Sequence, residues 1–252
     1  MEIPESEADW RYATVGRVDG DQVVWGSLVK DRALVWLTTV TEYGRHGQVS
    51  FPTPSPAALA FNIAFESARA AMAMRARVVF EARGRPSKSV EQASIPMLYA
   101  YFEQAMASAV FSFQCIEAYA NQTIARVVTG TMDVPRRKGV ENLRPEELER
   151  NLSTDEKLTV VLPRALSMRS PKGTKVWPLY RDLKEVRDST VHLKSGDQYI
   201  RGRLDRQSVY HRLLNRTAMD FPRTAVRMVR HFCPSAPDRW LEAAEERLVR
   251  AS

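Results

Sequence analysis

The stretch from Ile95 to Val128 constrains this chain more than any other, because it is apolar on nearly every face of a helix. Between Met97 and Ala120 only Glu103 and Glu117 carry charge. A helix without a polar face either crosses a membrane or lies at the centre of other helices. Two carboxylates within one span decide for the second, since a charge at the bilayer centre costs at least about 2.5 kcal/mol. The expectation is a mainly α protein packed around this central helix. A chain of 252 residues is long enough to bury such a core.

Candidate neighbours lie on both sides. Ala57 to Glu81 is alanine-rich with few breakers and predicts a helix. Pro145 to Arg150 predicts a short one. Ser153 and Glu156 have the spacing of a capping box, which opens a helix through Leu166. Further helices are expected from about Leu179 to Lys194, Gln207 to Asn215, Ala218 to Phe232 and Pro237 to Val249. Gly84 to Ser89, the basic stretch Gly130 to Glu141, and the segment around Gly196 and Gly202 read as loops.

Residues 11–50 read instead as strands. Asp19-Gly20 stands between Val15–Val18 and Val23–Trp25, which predicts a tight hairpin, and Ala33 to Val40 is a further β-prone run. Pro52, Pro54 and Pro56 then interrupt the chain. The expected organisation is a partly β N-terminal extension, 1–52, followed by a helical domain, 53–252.

A formal net charge of +7 favours polyanionic partners, nucleic acid first and an anionic membrane surface second. Cys115 and Cys233 are too few for a disulfide scaffold, and no cysteines or histidines fall at metal-ligand spacing. His46, His211 and His231 read as surface residues, although His211 and Tyr210 can reach a cleft. No glycine-rich phosphate loop is present, which argues against an NTPase. No metal or cofactor is expected. The first ten residues carry Glu2, Glu5, Glu7 and Asp9, unlike a secretory signal, so the expected setting is the cytoplasm with no membrane contact.

The segment Trp177 to His192 carries most of the chemistry. At ~100° per residue, Leu179, Leu183, Val186, Thr190 and Leu193 share one largely apolar stripe that can face a core. His192 points far from it, Asp188 shares a face with His192 four residues on, and Arg187 lies on the flank. A guanidinium presents a planar fork of donors to phosphate oxygens, and an imidazole exchanges protons near neutral pH. The alternative is a solvated helix end with an i,i+4 Asp–His contact.

Arg187-Asp188-Ser189-Thr190-Val191-His192 resembles the R-polar-x-x-x-H motif of HEPN domains (higher eukaryote and prokaryote nucleotide-binding). Phe113 to Asn121 resembles the family's long-helix run with its E-A-aromatic-x-N pattern. Leu152 to Pro163 resembles the "l-s-x-x-e-K, then apolar, then l-P" run of many bacterial members. The three occur in the family's order, and the resemblance covers roughly residues 97–233. It implies a helical bundle with up-and-down neighbours and a metal-independent endoribonuclease, as in toxin–antitoxin and antiviral-defence systems.

By this resemblance His192 serves as general base or acid at the RNA 2′-hydroxyl and leaving oxygen, and Arg187 holds the scissile phosphate. Asp188 stands where Asn is commoner; it can orient His192, but its charge repels phosphate. The products implied are a 2′,3′-cyclic phosphate and a 5′-hydroxyl. The partners implied are RNA, a second copy of the chain in a homodimer, and an antitoxin or defence-system protein. A tyrosine that some members carry two residues after the histidine is here Lys194.

Glu117 and Asn121 lie one turn apart and either support the motif or form an internal hydrogen-bonding pair. Lys157 reads as an anchor at a helix start or a carboxylate partner rather than a substrate contact. Arg136, Arg137 and Lys138, with Lys194, Arg201 and Arg203, are the candidate RNA contacts. Eight arginines fall between Arg201 and Arg230, either as a track for the RNA backbone or as a solvated face that neutralises acidic helices. The rivals to a nuclease are a non-catalytic RNA- or nucleotide-binding module and a dimeric scaffold.

Overall fold

The computed structural model describes residues 9–12, 16–17, 21–24, 27–30, 34–35, 38–82, 88–136, 139–192, 208–233 and 238–251. The chain is mainly α, with small antiparallel two-stranded sheets. In the N-terminal region β1 (Gly16–Arg17) pairs with β4 (Leu34–Val35), enclosing the pair β2 (Gln22–Val24) and β3 (Ser27–Val29). This differs from the expected hairpin: the strands flanking Asp19-Gly20 pair with later segments rather than with each other. β5 (Thr38–Glu42) and β6 (Gln48–Pro52) form a hairpin closed by Gly47 at φ 67°, a conformation that favours glycine.

The change from strands to helices falls at Pro52–Pro56, where the prolines predict it. Pro56 opens α1 (Pro56–Arg75), where its missing N–H costs nothing. Ala57, Ala60, Ala64, Ala68 and Ala71 recur at helical spacing and are all buried, with Phe61 and Phe65 between them. After the pair β7 (Phe80–Ala82) and β8 (Lys88–Val90) comes the long α2 (Ile95–Val127). The stretch expected to be a basic loop is instead a hairpin, β9 (Met132–Arg136) with β10 (Gly139–Leu143). Pro135 is tolerated there because, among the described residues, neither strand is flanked by a third.

α3 (Pro145–Asn151) follows, then a helix of three continuous parts: α4 (Thr154–Glu156), a π-helical turn at Lys157–Val161, and α5 (Leu162–Ala165). Ser153 caps it as the sequence predicts, with Ser153 and Glu156 each bonding the other's backbone N–H. α6 (Val176–Val191), α7 (Val209–Leu214), α8 (Asp220–Phe232) and α9 (Arg239–Arg250) complete the order. Among the described residues no helix is long and apolar enough to cross a membrane.

The chain divides into two compact units. The first gathers residues 1–59, 117–173 and 230–250. Its buried residues include Ile124, Leu148, Leu158, Leu162, Trp240 and Leu241. The N-terminal segment is tied in: Ser55 N–H donates to the Arg11 carbonyl at 2.7 Å, and Arg247 lies over the Trp10 ring. The second gathers residues 60–116, 174–229 and 251–252. Its core includes Phe61, Tyr101, Tyr180, Leu183, Leu213 and Met219.

Candidate functional site

The residues of the Arg-Asp-His motif lie in the second unit, at the C-terminal end of α6. The helix buries Tyr180, Leu183 and Val186, and leaves Leu179 37% exposed. The apolar stripe is therefore turned by about one residue from the expected one at its start. Aromatic packing sets this phase: Tyr180 stacks on Phe113 of α2 at 6.0 Å between centroids, and Trp177 lies 5.1 Å from Tyr180. A ring buries more area than a leucine and gains from offset stacking.

This phase brings Arg187 onto the same aromatic surface. Its Cζ sits 3.9 Å from the Phe113 ring centroid, a cation–π contact, while Nη1 donates to Asp188 Oδ1 at 2.8 Å. Arg187 is half-buried, so one face of the guanidinium rests on the ring while its edge stays accessible. Asp188 thus pairs with its neighbour in sequence. Its backbone carbonyl, not its carboxylate, is what meets His192, accepting from the His192 N–H at 2.9 Å.

His192 is the residue at which the helix ends, with φ −117° and ψ 65°. It is exposed, and its imidazole has no hydrogen-bond partner among the described residues. In the last turn Ser189 Oγ donates to the Glu185 carbonyl and Thr190 Oγ1 to that of Val186, both within the helix itself. Arg212 of α7 reaches Glu185 at 2.6 Å. A half-buried guanidinium and, five residues further along the same helix, an exposed imidazole supply a phosphate-binding group and a group capable of proton transfer.

The supporting candidates belong to the first unit. Glu117 accepts from Thr154 Oγ1 at 3.1 Å, and Asn121 Oδ1 accepts from Lys157 Nζ at 2.8 Å. Lys157 also donates to the Glu149 carbonyl at 2.7 Å and is 2% exposed. Burial pushes the Lys157 ammonium below its usual range, against the pull of Glu117 and Glu149. Glu117 and Asn121 thus bond to the Thr154–Lys157 helix start rather than to each other. Lys157 takes the anchoring role read from the sequence, with amide and carbonyl oxygens as its direct acceptors.

Among the candidate RNA contacts, Arg136 is engaged within its own unit. It donates to Glu141 at 3.1 Å, to the Asn151 carbonyl at 3.1 Å and to Glu156. The last two bonds tie the β9–β10 hairpin to the α3–α4 corner. Arg137, Lys138, Lys194, Arg201 and Arg203 lie outside the described residues. Of the later arginines, Arg212, Arg216, Arg223 and Arg230 face Glu185, Asp182, Asp220 and Glu245. His211 lies beside Asn215, and His231 meets the Arg169 carbonyl.

Sequence reasoning missed Phe113 as part of the site, because an aromatic in an all-apolar helix reads as core. Its signal was present in the guanidinium itself, which seeks an aromatic face when half-buried. Among the described residues no group of three or more His, Cys, Asp or Glu is placed to hold a metal ion. Compared with known proteins, the chain matches no family model, no curated protein and no solved structure.

Proposed function

We propose that this chain is a metal-independent endoribonuclease of the HEPN type, with Arg187 and His192 as its working pair. The observation that carries the reading is the end of α6. There a guanidinium rests on Phe113, and five residues further along α6 stands an exposed imidazole that has no partner among the described residues. His192 takes the proton of the RNA 2′-hydroxyl, and the 2′-oxygen attacks the adjacent phosphorus. Arg187 donates to the non-bridging oxygens, whose charge grows as the P–O5′ bond lengthens. That bond breaks, the 5′-oxygen takes up a proton, and the products are a 2′,3′-cyclic phosphate and a 5′-hydroxyl.

In a homodimer a second His192 supplies that proton, so one motif per chain is enough. A role as a toxin or antiviral-defence effector, held in check by a partner protein, fits this chemistry. The Arg187–Asp188 ion pair favours a second reading, a non-catalytic RNA- or nucleotide-binding module, because the carboxylate offsets the charge that a transition state needs. Incubation of the purified protein with mixed cellular RNA in EDTA separates the two. New ends that carry cyclic phosphate support the nuclease; RNA retained intact in a complex supports the binding module.

A further inference from the structure

The second unit holds a cavity of about 390 Å³ between α6 and α8, on the N-terminal half of α6. Its charged lining consists of Asp182, Arg216, Asp220, Arg223 and Arg227, so three guanidiniums face two carboxylates. Leu179, Leu183 and Phe221 supply an apolar wall. The carboxylates are already engaged: Asp182 pairs with Arg216, and Asp220 lies 3.8 Å from Arg223. Arg227 is exposed and has no hydrogen bond or ion pair among the described residues. The surplus positive charge of the cavity sits on it.

One feature of this lining is unfavourable without an anion. Arg223 and Arg227 stand one turn apart on α8, a spacing at which like charges repel. Arg216 already has Asp182 as its partner, and Asp220 offsets part of the lowering that burial imposes on its guanidinium. The cavity is nonetheless held in shape, since Arg75 donates to the Arg216 carbonyl at 2.8 Å and Thr224 Oγ1 to that of Asp220. Guanidiniums arriving from two directions suit an acceptor with more than two oxygens, which a phosphate provides and a carboxylate does not.

We propose that this cavity is a phosphate-binding site that takes the phosphate of a nucleotide, either free or within an RNA strand. Its volume lies in the range of small-molecule sites. Phosphate binding here does not depend on cleavage at His192. If the phosphate belongs to a strand, the inference rests on the nuclease reading. The cavity then guides RNA toward His192, ten residues and roughly 15 Å further along α6 from Asp182.

The test uses the full chain, and three probes: inorganic phosphate, AMP, and a short 2′-O-methyl RNA that has no 2′-hydroxyl to cleave. Binding is measured for wild type, for the double variant Arg223→Gln/Arg227→Gln, and for Asp220→Asn, with thermal unfolding to confirm folding. The double variant is expected to bind phosphate-bearing probes at least about tenfold more weakly. For the RNA probe the slope of log affinity against log salt becomes shallower by ~0.7 for each phosphate that is no longer neutralised. Asp220→Asn is expected to tighten binding severalfold, a sign that a structural role for the arginines does not produce.

Binding of phosphate and AMP identifies a free nucleotide as the source; binding of the RNA alone identifies a strand. Failure of wild type to bind any probe, or equal affinity in all three proteins, overturns the site. RNA cleavage by wild type is read separately, so loss of the nuclease reading leaves this result standing.

Discussion

Lys157 in the first unit and Arg187 in the second are both cations held by helices, yet they are held in opposite ways. Lys157 is sealed from water, with its ammonium spent on the Asn121 amide and the Glu149 carbonyl. Arg187 lies across an aromatic face, shares its charge with one half-exposed carboxylate, and precedes by five residues an imidazole without a partner among the described residues. A buried cation with satisfied donors stabilises a fold but cannot meet a ligand. A half-buried cation that still reaches solvent, on the same helix end as an exposed imidazole, can meet a ligand. The contrast separates a residue that keeps the chain folded from the pair proposed to do chemistry.

The largest effect expected is on rate. His192→Ala should reduce RNA cleavage about a thousandfold, ~4 kcal/mol of barrier, with an unchanged unfolding temperature. Next in size is Lys157→Met, which keeps the volume but leaves two part-buried acceptors without a donor. It should cost about 3 kcal/mol in denaturant unfolding, while cleavage per folded molecule is retained. A fall in cleavage that follows Lys157 rather than His192 breaks the comparison. Asp188→Asn should raise cleavage about threefold by freeing Arg187, at a cost of less than about 1 kcal/mol in stability.

The smallest effect is in acid. The Asp9 carboxyl is lowered to about 2 by its bond to the Arg11 side chain. Glu156 is also lowered: burial opposes this, but the bonds from Ser153 and Arg136 outweigh it. A carboxyl with a depressed folded pKa stabilises the fold above its unfolded pKa and loses that contribution as pH falls through the folded value. Unfolding temperature should therefore drop as pH is lowered from about 4.5 toward 2. Glu149, raised by burial, pulls the other way. Glu156→Gln should flatten the profile; an unchanged slope assigns it to other carboxylates.

What could be read from the sequence follows the range of the forces involved. The capping box at Ser153 and Glu156, the proline start of α1 and the span of α2 are local, and each appears where the residues predict it. Strand partners are not local. Asp19-Gly20 is a good turn signal, yet the segments beside it pair across the chain, β1 with β4 and β2 with β3. The β9–β10 hairpin was hidden by Pro135, because an isolated two-stranded sheet accepts a proline that a wider one excludes. In the site, the order Arg187, Asp188, His192 was legible. The one-residue turn of α6 was not, since it depends on Phe113 stacking with Tyr180 from a distant helix. Likewise Asp188 meets Arg187 rather than turning its carboxylate to His192.

The most direct test pairs two readings on one set of proteins: single-turnover RNA cleavage in EDTA and thermal unfolding, for wild type, His192→Ala, Arg187→Ala and Lys157→Met. The predicted pattern is cleavage by wild type with cyclic-phosphate ends, loss of cleavage without loss of stability at 187 and 192, and loss of stability with retained cleavage at 157. Equal cleavage by wild type, His192→Ala and Arg187→Ala contradicts the account.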